Sequence, residues 1–223
     1  MRKFDLEKDK LLILLLAGDL VFLLLHILHV FTLLLPVTYF SLSRDRSYAE
    51  FFQYTKEFWI AILLLILCLR QRKLIYLAFA LLFLYFLIDD SFEVHEKFGL
   101  VMADLFGFQA WFGLRPLDWG ELLVSAIFGG AILAGIATAY FASDVHHRRF
   151  AMVMLAMLAA LAFFGILMDM LEILAQVRWL SETIKMIEES GEMLVMSVIT
   201  WFVYSLRLQP TEDPLAVFTS ESS

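Results

Sequence analysis

The residues best equipped for chemistry in this chain lie in one short stretch, Asp89-Asp90-Ser91-Phe92-Glu93-Val94-His95-Glu96. It follows directly on the apolar run 74–87. If one helix runs through it, 100° per residue places Asp89, Glu93 and Glu96 within a narrow arc with Asp90 beside them. Ionisable groups on the end of a hydrophobic helix are costly in lipid, and by default they face a partner or a wet cavity. A second set, Glu188-Glu189-Ser190-Gly191-Glu192, repeats the acid-acid-Ser-x-acid order of 89–93 late in the chain. Asp169 and Glu172, at i and i+3, add a third acidic face. Asp19 and His26 share a stripe near the N-terminus, with His29 flanking it.

Carboxylates crowded in a low dielectric cannot all be ionised; they share protons or a cation neutralises them. Carboxylates together with imidazoles suit a divalent zinc, manganese or iron ion. The expected metal ligands are therefore Asp89, Asp90, Glu93, His26, Asp169, Glu189 and Glu192. Glu96 and His95 are the candidate general acid/base pair, and Asp19 and His29 the candidate relay groups. No Glu-x-x-His pair of the di-iron bundles and no His-Glu-x-x-His zinc helix is present.

The elements that must position these groups are membrane spans. The chain has 223 residues, 61% hydrophobic, with a mean hydropathy of +0.80, beyond what a soluble domain can hide. A net charge of −7 without a basic stripe argues against nucleic acid. The lone Cys68 excludes a disulfide within the chain. The expected fold is all-α: one integral membrane bundle of six transmembrane helices over residues 1–208, with a disordered cytoplasmic tail at 209–223. The spans are expected at 11–35, 51–69, 74 through the acidic stretch, 119–141, 150–175 and 183–206. The N-terminal basic residues and first apolar run read as an uncleaved first span, since no small-x-small cleavage site follows. Between spans three and four, 100–118 is too short and too punctuated by glycine to cross; it is expected as an interfacial or re-entrant segment. Gly130, Ala134 and Thr138, with Ala131, Gly135 and Ala139, are expected to make span four central.

Arg70, Arg72, Lys73, Arg148, Arg149 and Arg207 fall on one side with the N-terminus, so both termini are expected in the cytoplasm of a bacterial inner membrane. Measured from that edge at 1.5 Å per residue, Asp89, Glu192 and His26 lie about 22–24 Å up, within the outer leaflet.

Asp89-Asp90-x-x-x-x-His95-Glu96 at a span's end, with an acid-rich start to a late span, resembles a group of uncharacterised bacterial multi-spanning membrane proteins. That resemblance implies an outward-facing acidic/His feature and carries no activity. Ser91-x-x-x-His95 is similar to one element of the membrane-embedded zinc hydrolases that include alkaline ceramidases. Their later His-x-x-x-His pair is absent here, so their chemistry is not carried over.

Three functions fit these residues. The first is a metal-dependent enzyme acting on a lipid or other apolar substrate. The second is a proton- or cation-coupled transporter using Asp19 and the outer acids, and the third a non-catalytic sensor or scaffold. Membrane lipid is the expected partner in each, and the oligomeric state is left open.

Overall fold

The computed structural model describes residues 6–32, 34–35, 37–111, 114–168, 171 and 177–208. The expected disordered tail, Asp169 and Glu172 lie outside the described residues. The described chain is all-helical: α1 (Leu6–Phe31), α2 (Tyr48–Gln71), α3 (Leu74–Phe92), α4 (Val94–Phe106), α5 (Pro116–Phe141), α6 (Val145–Ala162) and α7 (Arg178–Leu208). A short 3₁₀ turn, Thr38–Phe40, lies between α1 and α2, and a π turn, Phe163–Leu167, continues α6.

Among the described residues, five helices are long and apolar enough to cross a membrane: α1, α2, α3, α5 and α6 with its π turn. The sixth expected span is α7. At 31 residues it has the length, with Glu182, Lys185, Glu188, Glu189 and Glu192 in its first half, and it is not one of these five.

Local sequence chemistry accounts for most boundaries. Ser47 caps α2, its hydroxyl accepting the Glu50 N–H at 3.2 Å. Asp144 caps α6 through the His147 N–H. Pro116 occupies the first turn of α5, where a missing N–H costs nothing, and Asp118 accepts the Arg115 N–H at 2.7 Å.

The main core lies where α2, α3, α6 and α7 meet, around Ile60, Leu64, Phe79, Phe83, Phe150, Met196 and Phe202. α2 packs along α3 and α7, and α7 also contacts α1 and α6. α5 is not central. Gly129, Gly130 and Gly135 meet no atom within 4 Å of where a side chain would start, so this part of the small-residue stripe faces outward, while Ala139 at its end is buried in the main core. Close approach occurs instead between α4 and α5, where a Cβ on Gly120 would run into the Gly99 carbonyl.

Two junctions complete the frame. At one end Lys73 pairs with Asp144 at 2.8 Å, and His147 bridges Asp144 (2.6 Å) to Gln71 (3.0 Å). These contacts tie the α2–α3 turn to the α5–α6 turn. Lys73 and His147 hold the exposed Asp144 carboxyl well below its usual range. At the other end Glu93 adopts a left-handed backbone, φ 54°, between α3 and α4.

Candidate functional site

The turn at Glu93 breaks the single acidic arc expected from a continuous helix. Asp89 faces the new helix rather than a carboxylate partner. Its Oδ1 accepts the His95 main-chain N–H at 2.8 Å and lies 3.0 Å from the His95 ring Nδ1. A carboxylate over the first turn of α4 satisfies an amide that the helix leaves unpaired and complements the helix dipole. Asp89 also holds the His95 imidazole above its ordinary pKa. Glu93 pairs at the surface with Arg46 (2.7 Å) and Lys97 (3.4 Å), and Glu96 is exposed.

On α1, His26 is buried and its Nδ1 accepts the Leu42 N–H at 3.0 Å, pinning the chain that leads into α2. His29 Nδ1 meets the Leu35 carbonyl at 2.7 Å just past the helix end. Both expected histidines therefore hold backbone. Asp19, the hardest of the acids to place from sequence, has a partner that sequence reading passed over. The Lys56 ammonium, 0% exposed, donates to Asp19 Oδ1 (3.0 Å), the Met193 carbonyl (2.9 Å) and Ser197 Oγ (3.4 Å). Ser197 donates to the other Asp19 oxygen at 2.5 Å. The ammonium also sits 4.9 Å from the Phe52 ring centroid. All three ammonium protons have acceptors, so the buried pair joins α1, α2 and α7.

Asp90, Glu189 and Glu192 come together at a different place. They line one cavity of about 350 Å³ between α2, α3, α6, α7 and the segment before α2. α2 contributes Glu50, Gln53 and Glu57, α3 Phe86 and Asp90, and α6 Leu161. α7 contributes Glu189, Glu192, Met193 and Met196, and the preceding segment Leu42, Ser43, Arg44 and Asp45.

Helical spacing explains the lining. Glu50, Gln53 and Glu57 fall on one stripe of α2, and Glu189, Glu192, Met193 and Met196 on one stripe of α7. The residue before Glu57, Lys56, points about 100° away and reaches Asp19 instead. Lys56 and Glu57 stand well inside an apolar span, the same signal that marked Asp89, and that signal would have found them.

The wall has distinct parts. The Tyr54 hydroxyl lies 2.5 Å from Glu50 Oε1 and 3.0 Å from the Asp90 carbonyl, so α2 and α3 are joined beside the cavity. Glu50 Oε2 accepts the Arg46 N–H. Gly165, in the π turn, leaves the space that the Glu192 carboxyl fills, and Phe164 packs flat on Gly191. Single π turns inside α-helices often accompany functional sites. Glu57 is 2% exposed; its carboxyl is hydrogen-bonded to that of Asp90, the two sharing a proton, and no other group donates to its Oε2. Gln53 Oε1, one turn away, is buried without a partner.

Among the described residues, no three His, Cys, Asp or Glu side chains are arranged to hold a metal ion. Of the expected ligands, Asp89, Glu93 and His26 are engaged elsewhere and Asp169 lies outside the described residues. The expected acid/base pair, His95 and Glu96, does not line the cavity, and neither do Asp19 and His29.

Residues 11–208 match the family model described as Domain of unknown function (DUF8692), and the chain belongs to that family. No curated protein and no solved structure matches it.

Proposed function

We propose that this member of the family is a cation-binding integral membrane protein of the proton- or cation-coupled transporter class, with the acid-lined cavity as its binding site. The observation that carries the reading is Glu57. A carboxyl 2% exposed and hydrogen-bonded to that of Asp90 lies in the wall of a space also lined by Asp45, Glu50, Glu189 and Glu192. Arg44 is the one basic side chain in that lining. So many carboxyls around a low-dielectric space require protons, a cation, or exchange between the two.

Depth and orientation support the same reading. The cavity lies toward the start of α2, the ends of α3 and α6, and the middle of α7. Arg70, Arg72, Lys73, Arg148 and Arg149 lie at the opposite ends of their helices. With that basic end cytoplasmic and α7 taken as the sixth span, the cavity sits in the extracytoplasmic leaflet. α4, 13 residues long and packed on α5, then rests at the outer interface.

The transport pathway does not run through Asp19, which is committed to Lys56. The metal-dependent enzyme reading lacks convergent ligands among the described residues, and no step is routed through a metal.

The test uses purified protein in liposomes loaded with a pH-sensitive dye. An imposed cation gradient drives proton counterflow in the wild type, and Glu57→Gln and Glu192→Gln abolish it while Glu93→Gln does not. Equal, leak-level traces for all four proteins would overturn the transporter assignment and leave a sensor or scaffold.

A further inference from the structure

We infer that the occupant of the cavity is a small organic ammonium ion bearing N–H donors, a primary amine, with its alkyl part on the Phe86, Met193 and Met196 side. This rests on the cation-site reading above and specifies its ligand.

Three observations lead there. The first is the sign of the unmet hydrogen bonds. Gln53 Oε1 is a buried acceptor without a donor, one helical turn along α2 the Glu57 carboxyl has only that of Asp90 as partner, and both residues line the same cavity. A buried acceptor without a donor loses its hydration and regains nothing, so the ligand that belongs there carries N–H or O–H groups. The surplus of carboxyls makes a positively charged donor the better match, since charge-assisted hydrogen bonds are the stronger kind.

The second is size. About 350 Å³ lies within the range of small-molecule sites and far exceeds the space of a single ion. A directly ligated metal would draw its ligands together, and no three described donors converge in that way.

The third is the mixed wall. Phe86, one turn before Asp90 on α3, and Met193 and Met196, on the α7 stripe of Glu189 and Glu192, make the apolar half of the wall, which gives an alkylammonium ion apolar contact beside its charge and soft thioethers around its chain. A hydrated inorganic ion gains nothing from that half of the wall.

The experiment is thermal unfolding of the purified full-length protein titrated with n-propylammonium, tetramethylammonium, sodium or magnesium chloride at matched ionic strength. Propylammonium is expected to raise Tm saturably, by about 5–10 °C at a hundredfold excess over Kd. Tetramethylammonium, which has the charge and no N–H, is expected to bind at least about tenfold more weakly. Glu57→Gln should weaken propylammonium binding by at least about tenfold, and Glu93→Gln should leave it unchanged. Gln53→Met, which removes one acceptor and keeps the side chain's length, supplies the same comparison if Glu57→Gln does not fold. A Tm rise with magnesium or sodium and none with either ammonium would overturn the amine inference while leaving the cation site standing. Equal binding of the two ammonium ions would overturn the hydrogen-bonding argument. No response to any of the four salts would overturn the cation site itself.

Discussion

Replacing Lys56 by Met tests the most buried electrostatic feature of the fold. Methionine keeps the length and apolar stem of the side chain, so packing against Phe52 is largely retained while the charge and three donors vanish. Asp19, 5% exposed, is then left with Ser197 as its remaining described donor. Breaking a buried pair from one side costs about 3–5 kcal/mol because the surviving charge is uncompensated. The retained Ser197 hydrogen bond places the expected loss near the lower end, about 3 kcal/mol. For a chain of this size that corresponds to a Tm lowered by about 6–12 °C.

Asp19→Leu alone should cost a similar amount, since it strands the ammonium between Met193 and Ser197. The double variant Lys56→Met/Asp19→Leu should recover to within about 1 kcal/mol of wild type, because neither charge remains to be desolvated. Reversible unfolding in detergent, followed by far-UV circular dichroism across the four proteins, measures the coupling. Additive single losses, or a Lys56→Met protein as stable as wild type, would refute the buried pair.

Other contacts give sharper local tests. Gly120→Ala should lower stability by about 1–3 kcal/mol through collision with the Gly99 carbonyl, whereas Gly135→Ala, into open space, should be neutral or slightly stabilising in the same unfolding assay. Ser47→Ala removes the α2 cap from a fully buried position and should cost about 1 kcal/mol, read as a Tm shift. The His95–Asp89 contact carries a pH signature. Because the folded imidazole titrates above its ordinary value of 6.5, its stabilisation is complete below that value and is lost as pH rises through the folded pKa. His95→Gln should therefore flatten the stability–pH curve above pH 6.5, measurable by unfolding at a series of pH values. An unchanged curve would contradict the contact.

The readable parts of this protein were those in which a residue's own chemistry meets lipid or a helix end. Apolar runs of span length state their helices through solvent preference, whereas Ser47 and Pro116 start α2 and α5 ahead of the expected 51 and 119 through backbone preference. The cost of charge in an apolar helix points to Asp19, Asp90, Glu189 and Glu192, and equally to Lys56 and Glu57 in span two. Which acid meets which partner was not readable. Asp89 and Asp90 are neighbours in sequence, yet the left-handed turn at Glu93 sends one to the first turn of α4 while the other lines the cavity. Lys56 and Glu57 are likewise adjacent, and 100° of helix rotation gives one to Asp19 and the other to Asp90 in the cavity wall. Composition and periodicity determine that a helix forms and what medium it tolerates, because those depend on each residue alone. The pairing of charges across α1, α2, α3 and α7 depends on rotation, depth and one backbone torsion, and only the packed helices decide it.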